Sequence, residues 1–337
     1  MKKLKRIFAV FFCLLLAAGI LGGCGKAASS SAPAPSALQS GNKPLKIVTT
    51  IFPEYDWVRE ILGDKADHAE VTMLLDNGVD LHSYQPTADD IIKISDCDLF
   101  LYVGGESDGW VEDALKEATN QNMKVINLLD VLGEQVKEEE VVEGMEGEEE
   151  EEADEEEGPE YDEHVWLSVK NAGTLCNAIT DALEEIDPAN KDAYATNAAS
   201  YLEKLAALDG EYQTVVDNAA RKTVLFGDRF PFRYLVDDYG LSYYAAFAGC
   251  SAETEASFET ISFLAQKVDE LKLPCVLTIE GAKHKIAETI VQNTAEKNQS
   301  ILTLDSMQST TSTDVANGTT YLSVMESNLD VLKQALN

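Results

Sequence analysis

The chain has 337 residues, of which 45% are hydrophobic, enough for one large or two medium-sized domains. Its formal net charge of −34 at pH 7 excludes a general affinity for nucleic acid or for an anionic lipid surface. The charge is unevenly spread, because residues 134–163 hold 18 of the 60 acidic residues and a single lysine, about half of the net charge.

The N-terminus is typical of a targeting signal. Four of the first six residues are basic, and the apolar run that follows, residues 7–20, is too short for a comfortable membrane span. Residues 21–24 read LGGC, which resembles a bacterial lipobox, in which the cysteine becomes the lipidated first residue. We predict a lipoprotein signal peptide over residues 1–23, lipidation of Cys24 and a flexible tether over residues 24–44. An ordinary signal peptide with an incidental cysteine is the alternative.

Short apolar runs then alternate with helical patterns along the chain. Before the acidic stretch, strands are predicted at 45–52, 69–75, 99–103 and 124–128, and helices at 56–62, 87–95 and 110–120. After it, helices are predicted at 169–186, 189–220, 233–239, 257–272, 283–297 and 320–336, and strands at 223–226, 243–248, 275–279 and 300–304. Such alternation predicts an α/β fold with parallel sheets flanked by helices. We expect two lobes, 45–167 with the acidic loop 134–163 and 190–337, joined by a long helix at 168–189.

The cysteines do not form a recognisable metal motif by spacing. Cys97, Cys176, Cys250 and Cys275 lie outside the predicted signal, and no CxxC pair occurs. A Cys250–Cys275 disulfide is conceivable outside the cytoplasm, and buried free thiols are the alternative.

Two of the four histidines are in positions suited to ligands. His82 lies in the loop GVDLHSYQPT, where Gly78 and Pro86 restrict the backbone on either side. His164 follows the acidic stretch in EYDEHVWLS, beside the apolar anchors of Trp166 and Leu167. Imidazole favours zinc and other transition metals. The other two histidines, at 68 and 284, lie in charged segments and are interpreted as surface residues.

These two signatures resemble those of the ZnuA-like, cluster A-I solute-binding proteins, the zinc- and manganese-binding lipoproteins of bacterial ABC importers. The closing segment NGTTYLSVMESNL is similar to the C-terminal helix of that family. The resemblance implies two lobes joined by a long rigid helix, a metal in the cleft between them, and no catalysis. It also implies a lipid-anchored, extracytoplasmic monomer that delivers Zn²⁺, or else Mn²⁺, to a membrane permease and its ATPase.

The resemblance is incomplete at the third ligand. The family supplies His or Glu after the first strand of the second lobe, whereas this chain has Arg229, which cannot coordinate a cation. Asp228 is the expected replacement and Cys250 a less favoured one; an Asp228–Arg229 ion pair is the alternative. Asp305 best matches the family's variable fourth ligand.

Glu280 is expected to support the site or to pair with Arg229. The expected set is thus His82, His164, Asp228 and Asp305, with the metal left open and Zn²⁺ favoured over Mn²⁺.

The glutamate run has two interpretations. A dense acidic tract raises the local concentration of cations, which favours a metal-gathering loop in the place where many relatives carry histidines. Runs of like charge also serve simply as solvated linkers.

Two rival functions remain from the sequence. A metallohydrolase is disfavoured because the chain lacks HExxH, GxSxG and Walker motifs. A surface adhesin would use the lobes for contacts with a host or matrix.

Overall fold

Two four-stranded sheets, each with all strands parallel, form the frame of the fold. The structure is a computed structural model that describes residues 43–146, 160–251, 255–281 and 283–337. The predicted signal peptide, Cys24, nearly all of the tether and residues 147–159 of the glutamate run lie outside these residues. Within the described ranges, no helix combines the length and the apolar character needed to cross a membrane.

The first sheet has the strand order β2-β1-β3-β4. Its strands are β1 (Leu45–Thr49), β2 (Ala69–Met73), β3 (Leu99–Tyr102) and β4 (Lys124–Asn127). Helices α1 (Phe52–Leu62), α2 (Ala88–Ser95), α3 (Val111–Lys116) and α4 (Leu128–Leu132) connect and flank them. Strand β3 is buried along most of its length, as expected for a central strand covered on both faces.

The second sheet repeats this order as β6-β5-β7-β8. Its strands are β5 (Thr223–Phe230), β6 (Ser242–Ala248), β7 (Cys275–Thr278) and β8 (Ser300–Thr303). Its helices are α7 (Arg233–Tyr239), α8 (Phe258–Leu271), α9 (Lys285–Asn293), α10 (Ser312–Ala316) and α11 (Tyr321–Ala335). The α/β prediction, with two parallel sheets flanked by helices, is confirmed.

Two long helices lie between the sheets in sequence, α5 (Val169–Ile186) and α6 (Lys191–Asp217). The Ser168 hydroxyl starts α5 by accepting a hydrogen bond from the backbone N–H of Asn171 at 3.0 Å. Helix α6 packs against α1 and α5 on one side and also contacts α7 and α11 of the second lobe. Residues 44–337 accordingly form one compact unit, and α6 as well as α5 links its two sheets.

Helix α1 begins four residues earlier than predicted, at Phe52. The apolar run from Leu45 does not remain a strand to its end, because Pro53 occupies the first turn of the helix. The Glu54 carboxylate reaches back and accepts the backbone N–H groups of Thr50 and Ile51, at 2.8 and 3.3 Å. Strand β1 therefore ends at Thr49.

Strand β5 runs four residues further than predicted. Its pairing with β6 shifts register between Phe226 and Arg229 and then resumes, with Arg229 opposite Phe247 and Phe230 opposite Ala248. This bulge places Asp228 and Arg229 at the carboxyl end of the sheet.

The described ends of the acidic stretch are attached to the fold, in contrast to the solvated loop expected from composition. The N–H of Glu139 donates to the Glu160 carbonyl at 2.9 Å, and the N–H of Asp162 donates to the Lys137 carbonyl at 2.9 Å. Further along, the N–H of Glu146 donates to the carbonyl of Ala246 at 2.9 Å, which adds a short parallel bridge to edge strand β6. The two described ends of the acidic stretch are thus held in place by backbone hydrogen bonds, although their side chains are negatively charged.

Candidate metal centre

His82 and His164 face each other at the carboxyl ends of the strands, where open α/β sheets bind their ligands. Their Nε2 atoms lie 3.1 Å apart and their ring centroids 5.1 Å apart. His164 is fully buried, and the side chain of His82 is 12% exposed. Two imidazole nitrogens are therefore directed at the same small volume.

The orientation of His164 is fixed by Asp162. One carboxylate oxygen, Oδ1, accepts hydrogen bonds from both the backbone N–H and the ring Nδ1 of His164, each at 2.9 Å. With Nδ1 occupied in this way, Nε2 keeps its lone pair for a metal. A short 3₁₀ turn, Val165–Leu167, follows, and Trp166 anchors it by donating its indole N–H to the Ser306 carbonyl at 2.9 Å.

A second carboxylate lies behind His82. Nδ1 of His82 is 2.8 Å from the Ser107 hydroxyl and 3.5 Å from Oε2 of Glu163. This Oε2 atom is buried and has no hydrogen bond to any described residue. The other oxygen of Glu163 accepts the N–H of Ser107 at 2.9 Å. Gly105 allows this approach, because a Cβ there would lie 2.3 Å from Oε1 of Glu163. The adjacent residues Asp162 and Glu163 thus support the two histidines separately.

The protonation of His82 suits metal binding. Burial, together with the neighbouring His164, lowers the pKa of the His82 imidazole to about 3. The ring is therefore neutral at physiological pH, and no proton has to be removed from an imidazolium before a cation binds.

Cys250 is the third member of the cluster. It follows β6, and its backbone N–H donates to Oε1 of Glu139 at 3.1 Å. Burial, and then the charge of Glu139, raises the pKa of the Cys250 thiol. The metal-free protein therefore holds a thiol here, and a cation that binds it must displace a proton.

The three side chains form a set of metal-ligand type. Nitrogen and sulfur donors of His82, His164 and Cys250 all lie within 4.8 Å of one another, and no other group of three or more such residues does so in the described part of the chain. Donors at about 2.0–2.3 Å from a tetrahedral zinc ion lie roughly 3.3–3.8 Å apart, slightly more than the 3.1 Å between the two histidine nitrogens and within the 4.8 Å that bounds the whole set. The residues present therefore fit a zinc ion with small adjustments of their side chains.

A cavity of about 280 Å³ opens onto two of these residues, His82 and Cys250. Its walls also include four glutamates, of which Glu139, Glu160 and Glu163 belong to the acidic stretch. Acidic side chains therefore line the approach to His82 and Cys250.

Asp228 is not brought to the histidines. Its two carboxylate oxygens accept the backbone N–H groups of Arg229 and Ile279, at 2.9 and 3.4 Å, and burial raises its pKa. The side chain stabilises the bulge of β5 and the end of β7, which sequence spacing did not reveal. Cys250, the less favoured candidate from the sequence, is the residue that lies within 4.8 Å of the two histidines.

Asp305 lies in the loop after β8, and Glu280, which follows β7, lies beside that loop. Glu280 accepts the N–H groups of Ser306 and Gln308 at 2.7 and 3.1 Å, and Asp305 accepts the N–H of Met307 at 2.7 Å. Burial, and then the charge of Glu280, raises the pKa of Asp305 to about 6. Asp305 does not join the compact cluster, and Glu280 does not pair with Arg229; its contacts support this loop.

Arg229 pairs with Asp80, not with Asp228. Its Nη2 lies 2.6 Å from Oδ2 of Asp80, the residue that caps the turn bearing His82. Among the other candidates, His68 is exposed, as predicted, whereas His284 is half-buried near Asp228. All four described cysteines are free thiols, so Cys250 and Cys275 are not bridged.

Comparison with protein-family models matches residues 47–335 to ZnuA, the periplasmic component A of a zinc-uptake complex. The chain belongs to this family. One relative matches this ZnuA-family chain over nearly its whole length. The high-affinity zinc uptake system protein ZnuA of Bacillus subtilis is 31% identical to it over 337 residues, which cover 99% of the chain and 98% of that protein.

Two further comparisons involve AdcA, the zinc-binding lipoprotein of Streptococcus pneumoniae. It is 33% identical over 294 residues, but the ZnuA-family chain spans only about half (55%) of its length. The crystal structure of its Zn(II)-bound ZnuA-like domain superposes with a TM-score of 0.67 at 31% identity, covering 87% of this chain and 99% of that domain.

Proposed function

We propose that this ZnuA-family protein is the substrate-binding lipoprotein of an ABC importer and captures Zn²⁺ between its two lobes. The observation that carries the proposal is the convergence of His82, His164 and Cys250 within 4.8 Å. These donors come from the loop after β2, the segment before α5 and the loop after β6, so a bound ion would connect both lobes. The name of the B. subtilis relative, a high-affinity zinc uptake protein, is consistent with this.

Zinc is favoured over manganese by the chemistry of the donors. Two imidazoles and a thiolate are ligands that zinc prefers, whereas manganese prefers carboxylate, carbonyl and water oxygens. Replacing the expected Asp228 by Cys250 therefore moves the preference towards Zn²⁺. The three protein donors leave a fourth position for water or for a further ligand.

The remaining parts of the proposal concern delivery. The zinc-loaded monomer would present its cargo to a membrane permease and its ATPase, with Cys24 as the lipid anchor on the extracytoplasmic side. No catalytic step is required of the protein. Labelling with radioactive palmitate, lost on Cys24→Ala, tests the anchor, and zinc-limited growth of a deletion strain tests the uptake.

Metal analysis of the purified full chain tests the binding site. The protein is stripped with a chelator, reloaded with zinc or manganese, and titrated against a chromophoric chelator to obtain Kd values. We expect one zinc per chain. His82→Ala, His164→Ala and Cys250→Ala should each weaken zinc binding by about 100-fold or more, beyond the ~10–100-fold typical of residues behind the ligands.

Asp228→Ala is the discriminating comparison, because Asp228 is the ligand expected from the sequence. It should retain zinc affinity within about threefold, since its carboxylate bonds to backbone N–H groups. A wild-type chain that binds no zinc would refute the proposal. Loss of binding in Asp228→Ala but not in Cys250→Ala would refute the assignment of the third donor.

A further inference from the structure

A cationic side chain, Arg229, lies beside a site that is proposed to bind a cation. The bulge in β5 presents it at the carboxyl end of the second sheet, and its side chain is only 19% exposed. A fixed positive charge here opposes a second positive charge, so its presence requires a physical explanation.

The partner of Arg229 is Asp80, whose carboxylate serves two groups. Oδ1 of Asp80 accepts the backbone N–H of His82 at 3.0 Å and so orients the histidine. Oδ2 accepts a hydrogen bond from Nη2 of Arg229 at 2.6 Å. Nη1 of Arg229 also lies 3.5 Å from the carbonyl oxygen of Ser251, the residue after Cys250. The ion pair therefore joins the first-lobe loop that carries His82 to the second lobe.

Asp80 lies beside the cluster of donors. Its Oδ1 is 3.9 Å from Nε2 of His82, the nitrogen that faces His164. In the structure Asp80 is not part of the group of donors that all lie within 4.8 Å of one another. A carboxylate this close to a ligand nitrogen becomes an oxygen donor for zinc once its side chain is free to turn towards the ion.

We propose that Arg229 restrains Asp80 from coordinating the metal and lowers the zinc affinity of the site. The inference rests on the proposed function, since it concerns the same three donors. Arg229 neutralises the Asp80 carboxylate and holds its Oδ2 atom by a hydrogen bond. His82, His164 and Cys250 therefore remain the protein donors to the metal. Arg229 is therefore a positioning residue that keeps a fourth coordination position free.

Charge substitutions separate this role from a purely structural one. Arg229→Met removes the cation and frees Asp80, and zinc should bind about tenfold more tightly or better, an effect of the size seen for groups behind metal ligands. Asp80→Asn keeps an acceptor for the His82 N–H but leaves Arg229 unpaired, and zinc should bind about tenfold more weakly. The double variant should lie between the two single variants. If the Arg229–Asp80 ion pair served only to hold the two lobes together, all three variants would bind zinc more weakly than wild type.

X-ray absorption at the zinc edge provides a second measurement on the loaded full chain. Arg229→Met should gain one oxygen donor relative to wild type, and Arg229→Lys, which retains the charge, should not. If the zinc coordination shell of Arg229→Met is the same as that of wild type, the proposal that Arg229 restrains Asp80 is refuted, even if the zinc affinity rises. If Arg229→Met does not fold, Arg229→Gln, which also removes the positive charge, is measured in its place with the same expected gain in affinity and in oxygen donors.

Arg233→Met is the matched control, because Arg233 is an ion-paired arginine of the same lobe with a similar exposure of 21%. The zinc affinity of the Arg233→Met variant should stay within about threefold of that of wild type. Unchanged or weaker zinc binding in Arg229→Met overturns the inference. Failure of the wild-type chain to bind zinc overturns the proposed function itself, so the two failures are distinguishable.

Discussion

Glu54 makes the stability of this protein depend on pH in a way that one substitution should remove. The side chain is fully buried, and Oε2 accepts hydrogen bonds from Thr50 and Ile51, but Oε1 has no partner among the described residues. Burial, and then the charge of Asp108, raises the pKa of Glu54 from 4.5 to about 8. Glu54→Gln keeps the shape and an acceptor oxygen but cannot ionise.

The size of the effect follows from that difference in pKa. The gap between 4.5 in the unfolded chain and about 8 in the fold corresponds to about 5 kcal/mol, at about 1.4 kcal/mol for each pH unit. Since the folded pKa is raised, the contribution of protonated Glu54 is complete below about pH 4.5. It is lost progressively as the pH rises and is gone above about pH 8.

Urea unfolding of the metal-free full chain between pH 5 and 9 measures this dependence, with a chelator present so that bound zinc does not add stability. The free energy of unfolding of Glu54→Gln, minus that of wild type, should grow by about 3–4 kcal/mol between pH 5 and pH 8. Taking this difference cancels the contribution of a buried acid that does not interact with Glu54, such as Asp56, whose pKa is raised to about 7.

Glu60→Gln is the control on the same helix, because Glu60 is only half-buried. A difference for Glu54→Gln that changes with pH no more than the difference for Glu60→Gln would refute the claim that Glu54 is protonated in the fold at neutral pH.

Three further predictions concern the metal centre. Asp162→Asn should weaken zinc binding about 10–100-fold in a chelator competition, since it loses the carboxylate that holds His164; an unchanged Kd contradicts this. Gly249→Ala should weaken zinc binding too, because the new Cβ would lie 3.0 Å from Cε1 of His164 and 2.9 Å from the Phe230 carbonyl, and calorimetry showing an unchanged affinity would exclude the clash. Cys250→Asp should lower the ratio of zinc to manganese affinity, and a constant ratio would show that the thiol does not select the metal.

The fold was largely predictable because hydrophobic periodicity is a local signal. Helices α5 and α7 have the predicted bounds, and every predicted strand is present with small changes at its ends. The errors arise where one residue overrides the pattern. Pro53 and Glu54 start a helix inside an apolar run, and pairing with β6 extends β5 beyond Phe226.

The site was only partly predictable, since the position of its proposed third donor, Cys250, depends on contacts between distant segments. His82 and His164 have local signatures and lie together in the structure. The place of Cys250 depends on the course of the chain after β6, and its anchor, Glu139, is 111 residues away in the sequence. Asp228 was a reasonable candidate from spacing, but backbone N–H groups of β5 and β7 claim its oxygens.

The short bridge between Glu146 and strand β6 has a consequence for association. Strand β6 is an edge strand, and an uncovered edge offers backbone hydrogen bonds to any second chain. The N–H of Glu146 occupies one of those positions, and its carboxylate brings negative charge to the edge. The described end of the acidic stretch therefore discourages edge-to-edge pairing of neighbouring copies, and its removal would expose β6 to self-association.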